Sequence, residues 1–132
     1  MERPTFVAHT GIEIIEATPD RAWGRLEITP DHHQPYGLVH GGVYCTVVET
    51  LASEAAARWA VEAGLAGAVG VANQTDFLRP MTDGVLVGEA TPIYRGRSQQ
   101  LWQVRLTRGE DGMLVATGQV RLHNLKKRPS RR

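Results

Sequence analysis

Between Gly42 and Ala63 lies the one long helix-forming run of this chain, and the other apolar segments read as strands. Val43, Val47, Leu51, Ala55 and Trp59 recur in it at the spacing of one helical face, and Gly64 and Gly67 end it. Ahead of it, GIEIIEAT (11–18) and RAWGRLEIT (21–29) flank Pro19-Asp20 and read as a hairpin. Behind it come 68–80, 84–96, 99–108 and 113–125, separated by Gly, Pro or Asp turns. No helix falls between those later segments, which excludes βαβ units and predicts an antiparallel meander. One helix cannot cover both faces of such a sheet, but it can fill the concave face of a curved one. The expected architecture is α+β: an antiparallel sheet of about six strands curved around one central helix, in the order β-β-α-β-β-β-β. A helix shielded nearly all round would explain its many Ala, Ser, Thr and Gly residues and its scarcity of charge.

With 132 residues, the chain has the size of one domain. The reading assigns 1–125 to it and 126–132 to a disordered basic tail holding Lys126, Lys127, Arg128, Arg131 and Arg132. The formal net charge is +1 and its excess sits in that tail, so the body offers no basic face for nucleic acid. Cys45 is the sole cysteine, which excludes an internal disulfide, and the segment from Met1 has no apolar signal core, so a cytoplasmic location is expected. Glu49, Glu54 and Arg58 make the helix too polar to span a bilayer, and no membrane partner is expected.

Glu49 is the anomaly in the helix. Its neighbours three and four positions away are Cys45, Thr46, Ala52 and Ser53, none of them a cation. Burying a carboxylate without a partner is costly, so an apolar residue would be the ordinary choice there. Glu54 differs, because Arg58 follows four residues later in the favoured orientation for a helical ion pair. At the start of the helix stand His40, Gly41 and Gly42. Backbone N–H groups at a helix N-terminus lack partners, and glycines let a ligand approach them without a Cβ in the way. Such donors suit a carbonyl oxygen that gains negative charge in a transition state. Glu49 lies about 10 Å further along the same axis, too far to share one small substrate with Gly41 of its own chain. A second subunit with its helix antiparallel would bring one chain's glycines to the other's Glu49, so a homodimer is expected.

The run Gln34-Pro-Tyr-Gly-Leu-Val-His40-Gly41-Gly42 followed by Glu49 and Ser53, in this element order, resembles the hot-dog fold acyl-CoA thioesterases of the PaaI-like kind. It is most similar to the branch holding the Glu-dependent 4-hydroxybenzoyl-CoA and the 1,4-dihydroxy-2-naphthoyl-CoA thioesterases. The likeness covers about Gly11 to Leu122. It implies that Glu49 is the catalytic carboxylate, acting as nucleophile on the thioester carbon or as base toward water. It implies that the Gly41 N–H polarises the thioester carbonyl, with Gln34 and His40 positioning that group, and that Ser53 holds the attacking water or the carboxylate. Gly42 would line the substrate site. Coenzyme A carries three phosphates, and Arg79 in FLRP and Arg97-Ser98 in GRSQQ are the candidates to meet them. A homodimer assembling into a homotetramer follows from the same likeness.

A thioester is already activated and coenzyme A thiolate is a fair leaving group, so a carboxylate and an oxyanion site suffice without a triad. No cofactor beyond the substrate's own coenzyme A and no metal is called for. HExxH, CxxC and GxSxG patterns are absent from the sequence. His40 reads as a hydrogen-bonding loop histidine, His32-His33 as solvent-facing or pocket-rim residues, and Cys45 as a small buried side chain. Tyr36, Leu38 and Tyr44 are candidate walls for the acyl group. The expected activity is hydrolysis of an aromatic or medium-sized acyl-CoA. A hot-dog dehydratase or hydratase using His40 with Glu49, and a non-catalytic acyl-CoA-binding protein, are the alternatives.

Overall fold

A computed structural model describes residues 5–129. The long helix forms as the periodicity predicts, as α2 over Gly41–Glu62, preceded by a short helix α1 (Phe6–Thr10), strands β1 (Glu13–Thr18) and β2 (Arg21–Glu27), and a 3-10 turn at Pro30–His32. After α2 come β3 (Gly67–Phe77), β4 (Val85–Arg95), β5 (Gln99–Arg108) and β6 (Leu114–Leu125). These strands make one sheet of six in the order β1-β2-β4-β5-β6-β3, antiparallel at every pairing. Together with α2 they form the expected hot-dog arrangement.

The sheet departs from the expected meander in one place. β4, β5 and β6 follow one another, but β3 lies beyond β6 at the edge, and β4 pairs instead with β2. The cause is the connection. Residues 78–84 are too long for a tight hairpin, and their backbone is engaged elsewhere: the Leu78 and Arg79 N–H groups donate to Val115 and the Met81 carbonyl accepts from Val39. The chain is thereby led away from β3 to the other side of the sheet.

α2 packs closely because the sheet offers it glycines. A Cβ at Gly118 would lie 2.4 Å from Val48, and one at Gly88 would lie 2.6 Å from Leu51. Val47, Val48, Leu51, Ala52, Ala55 and Ala56 are buried on this contact against Leu26, Leu86, Val104, Leu106, Val120 and Leu122. The helix is not shielded all round, contrary to the expectation from its composition. Glu49 and Arg58 are exposed and Cys45, Thr46, Ser53 and Ala57 only half-buried, because the sheet curves over one side of α2 and ends at β3. β3 itself is an edge strand with little cover on either face, and Val69, Val71 and Phe77 are 45–55% exposed.

α1 has no counterpart in the sequence reading. Five residues are too few to show a period, and the helix is defined by its ends: Thr5 accepts from the Ala8 N–H, and Gly11 closes it at φ 84°. At the other terminus 126–129 are exposed and irregular, and the remainder of the expected tail, 130–132, lies outside the described residues. Among the described residues no helix is long and apolar enough to cross a membrane.

The C-terminal half of α2 is tied to the sheet through a buried polar network. Gln100 donates from Nε2 to the Ala56 carbonyl at 3.0 Å and to Asn124 Oδ1 at 2.8 Å, and its Oε1 accepts from Trp102 Nε1 at 2.8 Å. Gln100 and Trp102 are fully buried. Arg95 stacks over the rings of Trp59 and Trp102 at 5.9 and 6.0 Å and pairs with Asp20, which fastens the β1–β2 turn to the same region. Replacing Gln100 by Leu would leave the Trp102 donor and the Asn124 Oδ1 acceptor unmatched in a dry interior. We expect this to cost about 2–4 kcal/mol, read as a lower urea midpoint with an unchanged m-value.

Candidate active site

Two groups of polar atoms converge on α2, one at its N-terminus and one on its uncovered strip. At the N-terminus His40 is the cap. Its Nδ1 accepts from the Gly42 N–H at 2.8 Å, its carbonyl accepts from the Val43 N–H at 2.9 Å, and its own N–H donates to the His32 carbonyl. A ring that accepts at Nδ1 carries its proton on Nε2 when neutral, so His40 keeps an N–H donor to offer. The same cap decides which helix donor is left over. Among the described residues the Gly41 N–H meets no acceptor, whereas those of Gly42 and Val43 are occupied.

Gln34 is fixed by the loop in a compatible way. Its carbonyl accepts from Gly37, its N–H donates to Leu38, and its Oε1 accepts from the Tyr36 N–H, which leaves the side-chain amide hydrogens as donors. Gln34, Gly41, Tyr44, Phe77 and Arg79 line one concavity of about 310 Å³. Gly41 has a structural duty besides the one expected of it, since a Cβ there would lie 2.4 Å from the Phe77 ring. Its lack of a side chain thus admits Phe77 as well as leaving its N–H open. Tyr44 is buried with its hydroxyl unpartnered, and burial pushes its phenol above the ordinary range.

Glu49 belongs to the second group. A groove of about 520 Å³ is lined by Cys45, Thr46, Glu49, Ser53, Asn73 and Phe6, among others. Asn73 of β3 donates to the Cys45 carbonyl at 3.0 Å and reaches Glu49 Oε1 at 3.5 Å, while Thr75 donates to Asn73 Oδ1 at 2.8 Å. Gly70 passes opposite, where a Cβ would lie 3.3 Å from Glu49 Oε2. The carboxylate is therefore bracketed by β3, held by one long amide contact, and forms no ion pair among the described residues. Glu54 pairs with Arg58 at 2.6 Å as its spacing predicted. Asn73 was not singled out in the sequence, because an Asn in a strand gives no sign of which helix residue it will face.

The two groups do not meet within one chain. Glu49 and Ser53 share the groove; Gln34, Gly41 and Arg79 share the other concavity; and His40 and Gly42 line a third, of about 490 Å³. Arg97 and Ser98 lie on the β4–β5 turn. Asn124 clamps that turn through the carbonyls of Gly96 and Arg97 at 2.8 and 3.0 Å, close to where Gln100 meets Ala56. They are thus near the C-terminal half of α2, away from Arg79. Of the expected pocket walls, Leu38 and Tyr44 line the Gly41 concavity, whereas Tyr36 is 89% exposed and lines none of the three. Its place on the loop after Gln34 turns it outward. Cys45 is half-buried at the groove and not enclosed. His32 and His33 are pocket-rim residues, as expected, each hydrogen-bonded through its ring to a backbone carbonyl, of Thr10 and Thr82 respectively.

Comparison with known proteins adds to this geometry. Residues 36–115 match the family described as the thioesterase superfamily. The chain is 46% identical over 125 residues to Rv1847 of Mycobacterium tuberculosis, covering 94% of this chain and 89% of that protein. The solved structure of that protein superposes with a TM-score of 0.90, covering 94% of this chain and 98% of that one. The chain is also 32% identical to the proofreading thioesterase EntH of Klebsiella pneumoniae, over 76% of this chain and 72% of that one. A further relative at 32% identity is the 1,4-dihydroxy-2-naphthoyl-CoA hydrolase of Listeria monocytogenes, over 74% of this chain and 77% of that one.

The cap geometry gives a direct expectation. His40→Ala removes the acceptor of the Gly42 N–H and should lower stability by about 1 kcal/mol, measured by urea unfolding. His40→Asn, whose side chain can accept the same bond, should recover most of that loss.

Proposed function

The chain belongs to the thioesterase superfamily, and from that premise we propose that it hydrolyses an aromatic or medium-sized acyl-CoA to the free acid and coenzyme A, with Glu49 as the catalytic carboxylate. It does so as a cytoplasmic homodimer, packed further into a homotetramer, with no cofactor beyond the coenzyme A of its substrate. The observation that carries this reading is the separation of the two groups on α2. A free helix N–H at Gly41 and a carboxylate at Glu49 stand in different concavities of one chain, beside an edge strand, β3, that is paired on one side only.

Pairing two copies through β3, with their α2 helices antiparallel, would set the Gly41 corner of each chain opposite Glu49 of the other. The same pairing would cover an unpaired strand edge, which a folded protein otherwise has to protect. Closing the seam would also exclude water from Glu49, and a carboxylate without a cation is more reactive in such a place.

In the assembled site the thioester oxygen accepts from the Gly41 N–H, with the Gln34 amide and His40 Nε2–H as further donors. These groups stabilise the oxyanion that forms when the carbonyl carbon is attacked. Glu49 either attacks that carbon itself, giving an acyl anhydride that water then opens, or takes a proton from an attacking water. In both routes the C–S bond breaks and coenzyme A leaves as thiolate. Ser53, one turn after Glu49 and in the same groove, holds the water. Arg79 sits beside Gly41 at the mouth of that corner, and the Arg97-Ser98 turn of the antiparallel partner would come to the same end. Both are assigned to the phosphates of coenzyme A.

Two measurements test this. Glu49→Gln keeps the shape and removes the charge, and should lower kcat for thiol release from a good acyl-CoA on the order of 10³-fold without loss of secondary structure. Native-rate hydrolysis by this variant would refute the assignment. Glu49→Gln chains co-expressed with Gln34→Ala chains form mixed dimers in which one of the two sites has both native residues. About a quarter of the native activity should return by random pairing. No recovery would mean that each site is built from a single chain.

A further inference from the structure

One space to which this reading gives no occupant is the cavity of about 490 Å³ under α1. It lies against the capped corner, since His40, Gly42 and Val43 are in its wall. It also adjoins the Glu49 groove, because Phe6 and Thr46 line both. Ile12, Leu26 and Val43 make much of its surface apolar. His9 and Asp31 also line it, and their side chains have no hydrogen-bond partner among the described residues. Phe6 is 70% exposed, at the boundary between cavity and groove.

The wall that carries Phe6 is fastened. His32 Nδ1 accepts from the Thr29 N–H at 2.9 Å, so in the neutral ring Nε2 bears the proton and donates to the Thr10 carbonyl at 2.8 Å, at the end of α1. The carbonyl of the same His32 accepts from the His40 N–H at 2.9 Å. One residue thus joins α1 to the corner that presents Gly41.

Resting on the thioesterase reading above, we propose that this cavity receives the acyl group, that Phe6 is a specificity-determining residue favouring flat aryl acyl groups, and that His32 is the positioning residue that holds it there. An acyl group leaving the Glu49 groove passes Phe6 and Thr46 to enter. An apolar space of about 150 Å³ already admits benzene, so this one has room for an aryl group. A ring stacked on Phe6 gains a contact that a flexible alkyl chain does not reproduce, and a ring substituent can meet His9 or Asp31.

The test compares kcat/KM for 4-hydroxybenzoyl-CoA and octanoyl-CoA, followed by thiol release, with molar mass in solution measured alongside. Phe6→Ala should lower the aryl-to-alkyl ratio roughly tenfold at unchanged mass, while Phe6→Tyr keeps the ratio near native. His32→Ala, which frees α1, should lower the ratio in the same direction. An unchanged ratio in Phe6→Ala overturns the proposal, as does an equal fall for both substrates with loss of the assembled mass, which would make Phe6 an interface residue. A native protein that releases thiol from neither ester refutes the parent reading, and this one with it.

Discussion

The contact between α2 and the concave face of the sheet sets the rest of the molecule. It requires small residues on both sides: Ala52, Ala55 and Ala56 on the helix, and Gly88 and Gly118 on the sheet, where any Cβ would strike Leu51 or Val48. Close approach fixes the rotation of the helix about its own axis. Once Val47, Val48 and Leu51 are turned inward, the 3.6-residue period leaves Cys45, Thr46, Glu49 and Ser53 on the outward strip. Glu49 is exposed because of where the glycines are, and not through any property of its immediate surroundings.

The N-terminal corner follows a second constraint, the accounting of helix donors. An α-helix begins with N–H groups that have no partner, and the chain supplies acceptors for Gly42 and Val43 from the single residue His40. The Gly41 N–H is what remains. The loop from Pro30 to Val39 makes this arrangement stiff, because His33 and Val39 bridge, Gln34 pairs with Leu38, and His32 holds the backbone of His40. If the Gly41 N–H serves as proposed, a donor fixed before substrate arrives need not be reorganised when charge develops on the carbonyl.

The element order was legible because helix and strand periods differ, and a chain with one 3.6-residue run among 2-residue runs has few ways to fold. The pairing partner of β3 was not legible. Local pattern says that a segment is a strand but not which strand it joins, and the deciding bonds from Leu78 and Arg79 to Val115 are long-range. α1 escaped notice for want of length, and with it the cavity under Phe6. The composition of α2 pointed to burial on all sides, and the small residues do indeed pack closely, but only on the sheet side. Glu49 and the Gly41-Gly42 pair stood out by residue type and position, and Gln34, His40 and Ser53 through the family resemblance; Asn73, which meets Glu49, could be found only once β3 was placed beside α2.

The open strip and the bare edge of β3 are two views of one fact. β6 has a neighbour on each side, while β3 has β6 alone, so a row of backbone donors and acceptors faces outward next to the exposed side of α2. A partner that covers one covers the other. Val69 and Val71 near the β3 bulge would supply apolar surface for such a contact, and Asn73 and Thr75 already direct their polar atoms inward, toward Cys45 and Glu49, rather than across the edge. Asn73 would therefore stay with its own helix if the edge were filled. In the proposed dimer the carboxylate it touches would be enclosed without losing the one amide that orients it, and enclosure would add what the single chain lacks, a donor-bearing helix end brought against Glu49 from outside.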